Sequence, residues 1–151
     1  MVGSTIASPS ASLRLARVLL VDDDPASRQA IQWVLQAGGY EVDTAASAAE
    51  AIRLMDQGEY ELILTDLKME SPEAGWRVLA HARIAPYKPA TAFIRTYREP
   101  EGEEEQPEEE HPAAVAAEDV PKLLDAVAEL ISRRARRQLA RTLAGRRKRR
   151  G

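Results

Sequence analysis

Two short apolar segments of this chain each run into acid. Arg17-Val18-Leu19-Leu20-Val21 is followed by Asp22-Asp23-Asp24-Pro25, and Leu62-Ile63-Leu64-Thr65 is followed by Asp66. Carboxylates gathered in one place repel one another, and a hard cation such as Mg²⁺ relieves that repulsion by taking oxygen ligands. A carboxylate beside such a cation is also a nucleophile toward a phosphoryl donor, and the product is an aspartyl-phosphate. These acids therefore point to a phosphorylation site.

The elements that must position them follow from the pattern around them. Four or five consecutive residues rich in Val, Ile and Leu read as strands buried on both faces of a parallel sheet. Side chains at the carboxyl ends of such strands line the crevice where open α/β sheets bind ligands. Asp24 is a good N-cap, with Pro25 at the first helical position and Gly38-Gly39 as a stop. Ala30, Ile31, Val34 and Leu35 form the apolar stripe of that helix. Tyr40 to Ala45 reads as a second strand, and Ser47-Ala48-Ala49-Glu50 is a capping box opening a helix that reaches Gly58. After Asp66, a loop from Glu70 to Gly75 leads into a helix carrying Trp76, Val78, Leu79 and Ala82. Thr91 to Ile94 is a fourth strand and Ala113 to Ala117 a weak fifth. Val120, Leu123, Leu124, Val127, Leu130 and Ile131 then mark an amphipathic helix that Leu139 and Leu143 carry on toward Gly145. Strands alternating with helices imply a parallel sheet covered on both faces.

Val18-Leu19-Leu20-Val21-Asp22-Asp23-Asp24-Pro25 and Ile63-Leu64-Thr65-Asp66-Leu67-Lys68-Met69 resemble the receiver domain of two-component response regulators. The resemblance implies a flavodoxin-like, doubly wound five-stranded sheet in the order 2-1-3-4-5. It implies that Asp22 and Asp23 are the acidic pair holding Mg²⁺ and that Asp66 accepts phosphate from a histidine kinase or phosphotransfer protein. It also implies that Lys68 completes the metal site with its backbone carbonyl. The loop Met69 to Gly75 is one residue longer than the commonest family version.

The second half departs from the pattern. Where the family carries a Thr or Ser at the end of the fourth strand, Arg95 stands, with Thr96 just after it. A one-residue shift would bring Thr96 into the site; Arg95 reads either as a surface residue or as a charge-assisted partner of Asp66. Where the family ends the fifth strand in Lys, Ala116 stands, and Ala113 takes the place of the aromatic residue three positions earlier. The family's fourth helix is replaced by Glu99 to Glu110, eight glutamates with two prolines and a glycine, which reads as an acidic loop. The metal-binding half matches the family, and the phosphate-reading half does not.

Composition bounds the remaining possibilities. The chain has 151 residues, 44% of them apolar, enough for one modest core, and its absence of cysteine excludes disulfides and thiol chemistry. Residues 1–16 lack the features of a secretory signal and read as a flexible leader; no run is long enough to span a bilayer, so a cytoplasmic location is expected. Residues 17–133 form the receiver-like domain, with the acidic loop 99–110 inside it, and 134–151 a basic helical extension and tail. Arg133 to Arg150 carries ten Arg and Lys and no acid. It suits nucleic-acid phosphates or an anionic surface without sequence preference, or it neutralises the acidic block. Trp33 and Trp76 read as packing residues, and His81 and His111 as isolated surface residues. The D-x-D spacing in Asp22 to Asp24 also suggests haloacid-dehalogenase-like phosphotransferases, but Ala26 stands where that family has Thr or Val. The expected function is a stand-alone signalling receiver, not an enzyme. The alternative is a pseudo-receiver that acts through partner binding without phosphate.

Overall fold

The computed structural model describes residues 15–67, 69–95, 113–117 and 119–150, with the backbone alone at Arg95, Ala113, Ala116 and Arg150. Its elements in chain order are β1 (Arg17–Val21), α1 (Pro25–Ala37), β2 (Glu41–Ala45), α2 (Ala48–Gln57), β3 (Leu62–Thr65), α3 (Ala74–Ile84), β4 (Ala90–Arg95), β5 (Ala113–Ala116) and α4 (Val120–Arg150). The strands form one sheet in the order β2-β1-β3-β4-β5, and every neighbouring pair is parallel. This is the doubly wound arrangement expected from the alternation of strands and helices. The acidic segment 99–110, Thr96, Lys68 and His111 lie outside the described residues.

Alternation along the strands sends successive side chains to opposite faces, so each apolar run feeds two cores. Val18, Leu20, Leu62, Leu64, Ala92 and Ile94 pack with Ile31 and Leu35 of α1 and Leu123 and Val127 of α4. Leu19, Val21 and Ile63 pack on the other face with Ala48, Ala51 and Met55 of α2 and Val78 and Ala82 of α3. The strand residues Val18 to Val21 and Leu62 to Leu64 are wholly buried, as continuous apolar runs require in a doubly covered sheet.

Local signals set the helix ends. The Asp24 side chain accepts from the Ser27 amide at 3.4 Å, and Pro25 opens α1. Gly39 ends that helix with φ of +96°, a conformation that favours glycine. At α2, Ser47 Oγ accepts from the Glu50 amide at 3.2 Å, while Glu50 Oε2 accepts from the Ala46 amide at 3.0 Å. The capping glutamate thus reaches one residue further back than a standard capping box.

Three expectations are corrected. Trp33 is 63% exposed and Trp76 39% exposed, so neither is a buried packing residue. Trp33 lies two positions after Ile31 and two before Leu35, on the face of α1 turned away from those buried residues. His81 is not isolated: its Nε2 lies 2.7 Å from Asp56 Oδ1, joining α3 to α2. Finally, α4 does not stop near Gly145 but continues to Arg150, passing through residues 133 and 134 without a break.

Candidate metal and phosphoacceptor site

The adjacency of β1 and β3 builds the site. Val21 pairs with Thr65, so Asp22 and Asp66, the next residues of each strand, emerge side by side at the carboxyl edge of the sheet. Backbone hydrogen bonds continue the ladder to both of them. The Asp66 amide donates to the Val21 carbonyl at 2.9 Å, and the Asp22 amide to the Ala45 carbonyl at 3.0 Å. Carboxylate oxygens of Asp22, Asp23 and Asp66 all lie within 4.8 Å of one another. The structure therefore brings together the three acids expected to hold a cation.

Their environments differ. Asp22 is 1% exposed, Asp66 is half-buried and Asp23 is exposed. Asp22 Oδ1 accepts from the Asp24 amide at 3.0 Å, but the buried Oδ2 has no hydrogen-bond partner among the described residues. Leaving a carboxylate oxygen buried without a partner is costly, and more so with two further acids beside it. A hard cation coordinated by oxygen answers both problems, so these residues fit Mg²⁺. Asp24 belongs to the cap of α1, and Arg28 Nη1 donates to the Asp22 carbonyl at 2.8 Å, tying α1 to the same turn.

Two residues that the sequence reading did not single out support Asp66. Gly75 opens α3 against the backbone that follows β3: its amide donates to the Leu67 carbonyl at 3.2 Å. A Cβ at this position would collide with the Asp66 carbonyl and Leu67 Cα, so only glycine allows the approach. Its place in a Pro/Gly loop was the available signal. Glu70 Oε1 accepts from the Ala48 amide at 2.9 Å, placing a carboxylate on the amino end of α2 and anchoring the loop after Asp66. The partners are 22 positions apart, and no sequence signal linked them. Thr65, wholly buried, satisfies its hydroxyl by donating to the Asp66 carbonyl at 2.9 Å.

The other expected site residues are placed less fully. Arg95 is the last residue of β4, and its backbone partner in β5 is Ala116. Arg95 and Ala116 are therefore neighbours at the carboxyl ends of β4 and β5, in the same sheet as β3. Lys68 and Thr96 lie outside the described residues.

A family model described as the response regulator receiver domain matches residues 18–104, more than half of the chain. The chain belongs to the response regulator receiver family. Among curated relatives, the transcriptional regulatory protein GlrR of Escherichia coli K12 is 40% identical over 55 residues, 36% of this chain. The match spans only 12% of that relative's length. The chemotaxis response regulator CheY4 of Vibrio cholerae superposes with a TM-score of 0.63 at 27% identity, over 77% of this chain and 98% of its own. A chain from the complex of histidine kinase ThkA with response regulator TrrA matches at 25% identity and a TM-score of 0.63, over 77% and 98% of the two chains. TrrA of Thermotoga maritima in complex with Mg²⁺ and BeF matches at 31% identity and a TM-score of 0.51, over 56% and 72%. Receiver domains of this family serve phosphorelay signalling and typically bind Mg²⁺ at an acidic pocket, and this chain carries an acidic cluster of Asp22, Asp23 and Asp66.

Proposed function

We propose that this receiver accepts a phosphoryl group on Asp66 with Mg²⁺ held by Asp22, Asp23, Asp66 and the backbone carbonyl of Lys68. The observation that carries the reading is the cluster of three carboxylates, together with the buried Oδ2 of Asp22 that has no hydrogen-bond partner among the described residues. A carboxylate oxygen of Asp66 attacks phosphorus, the donor's bond to phosphorus breaks, and an acyl phosphate forms. Bound Mg²⁺ supplies positive charge that offsets the charge of the incoming phosphoryl oxygens. Gly75 packs the start of α3 against the backbone of Asp66 and Leu67, and Glu70 ties the loop after Asp66 to the amino end of α2, which fixes the backbone of the acceptor. The donor is a histidine kinase or phosphotransfer protein; the ThkA–TrrA complex supports a kinase as partner.

Arg95 and Ala116, paired at the ends of β4 and β5, favour weak retention of the phosphoryl group. Neither replaces the hydroxyl and amine that the family pattern supplies, and a ligand shifts an equilibrium only through contacts that differ between two states. The same observation favours a second reading, a pseudo-receiver regulated by partner binding alone. Incubation of the whole chain with acetyl phosphate and Mg²⁺, followed by mass spectrometry, separates the two. A single phosphoryl group that disappears in Asp66→Asn and without Mg²⁺ supports the first reading. An unmodified chain at every donor concentration supports the second.

A further inference from the structure

Past Gln138, α4 leaves the domain. Among the described residues its last anchors are Arg134, which donates to the carbonyls of Tyr87 at 2.6 Å and Lys88 at 2.9 Å, and Gln138, which donates to the Tyr87 carbonyl at 3.4 Å. Tyr87 and Lys88 lie just before Pro89 and the start of β4 at Ala90, at the amino edge of the sheet. The extension therefore departs from the edge opposite Asp22, Asp23 and Asp66. From 139 to 150 it advances about 18 Å at the helical rise of 1.5 Å per residue. Every side chain from 139 to 149 is exposed.

The charge on this arm is single-signed. No acid follows Glu129, which itself takes Arg133 at 2.9 Å and Arg136 at 3.4 Å. Arg137, Arg141, Arg146, Arg147, Lys148 and Arg149 have no acidic partner among the described residues. Arg146 to Arg150 are consecutive, so at 3.6 residues per turn their positions ring the helix axis. The exposed Leu139 and Leu143 form one i,i+4 pair, but the same row continues into Arg146 and Arg150. An apolar stripe for a lipid surface is thus missing, and like charge disfavours pairing with a second copy of this helix.

A helix charged on all sides suits a partner that presents phosphates on both flanks. The major groove of B-form DNA, about 12 Å wide, admits a helix about 10–12 Å in diameter between two phosphate walls. The arm has no Asn and no aromatic residue, and its Gln138 is held by Tyr87, so it lacks the groups that read adenine edges or stack on single strands. Its Arg and Lys ring the helix axis, so most of them face the phosphate walls rather than guanine edges on the groove floor. We infer that residues 137–150 form a helical arm that lies in the major groove of duplex DNA and binds its phosphates without regard to sequence. This binding does not rest on phosphorylation of Asp66.

The test uses the whole chain and a labelled duplex of about twenty base pairs, read by fluorescence anisotropy. With about five phosphate contacts, affinity should fall about 500-fold between 50 and 200 mM salt. Duplexes of shuffled sequence should agree within about threefold, since phosphate contacts carry no sequence information. Replacing Arg146, Arg147, Lys148 and Arg149 with Gln should flatten the salt dependence. Gly145→Pro keeps every charge but breaks the helix, and should bind at least about tenfold more weakly than Gly145→Ala. A thermal melt of each variant shows whether the domain stays folded. No binding at the lowest salt would overturn the inference. So would equal affinity of the Gly145→Pro and Gly145→Ala variants, or tighter binding to phosphatidylserine vesicles or single strands than to the duplex.

Discussion

Asp22 is the most constrained of the three acids, because it is almost wholly buried and its Oδ2 has no hydrogen-bond partner among the described residues. A cation that binds the folded state alone raises stability by mass action, by about 1.4 kcal/mol at ten times its dissociation constant. Mg²⁺ should therefore raise the melting temperature, while Ca²⁺-free, Mg²⁺-free buffer should give the lower limit. Asp22→Ala should abolish that increment, as read by calorimetry across a Mg²⁺ series. Gly75 is the second sensitive position. Its Cβ would meet backbone at Asp66 and Leu67, so Gly75→Ala should cost about 1–3 kcal/mol in denaturant unfolding. It should also weaken Mg²⁺ binding, because the displaced backbone belongs to Asp66. The acids were legible in the sequence because each ends an apolar run. Gly75 and Glu70 were not, because their roles depend on how the loop folds onto two helices.

At the scale of elements, the amino edge of the sheet is closed by polar clips. Arg17 bonds Asp43 at 2.8 Å and lies 4.8 Å from the Tyr60 ring centroid, while Tyr60 Oη donates to Asp43 at 2.7 Å. Tyr87 Oη donates to the Met55 carbonyl at 3.1 Å. Burial, followed by the nearby charges of Asp56 and Glu59, pushes the Tyr87 hydroxyl up to about 12. Burial and the Asp43 hydrogen bond push Tyr60 up as well. The unfolded chain releases these protons near pH 10 and the folded chain only at higher pH. Stability held below pH 10 should therefore fall between about pH 10 and 12. Phe substitution at Tyr87 should reduce the slope in that window, as measured by urea unfolding at stepped pH. Arg134→Ala should free the lower part of α4, speeding amide exchange beyond residue 134 while leaving β1 and β3 protected. Helix and strand identities followed from caps and period. Trp33 was misjudged because a helical apolar segment also carries residues off its stripe, and only the sheet decides which face is covered.

For the molecule as a whole, the sheet separates two charged features. The acids occupy its carboxyl edge, and the basic arm of α4 leaves from its amino edge. The parallel, doubly covered sheet was legible because apolar segments alternate with helical ones, while the order β2-β1-β3-β4-β5 followed from the family resemblance. The reach of α4 was not, because Gly145 and the loss of apolar period read as a stop while exposed Arg and Lys, good helix formers, carry it on. On the proposed reading, Arg95 and Ala116 stand where the family pattern has a hydroxyl and an amine, and an event at Asp66 should then travel only a short way through this scaffold. The most direct test is NMR of the whole chain with Mg²⁺ and then beryllofluoride, a mimic of the phosphoryl group. The account expects Mg²⁺ to shift resonances of residues 22–24 and 66, and the mimic to extend those shifts only through the loop to Gly75. Silence at Asp66 under both additions would contradict the acceptor assignment, and large shifts reaching β4 and α4 would contradict the weakened readout.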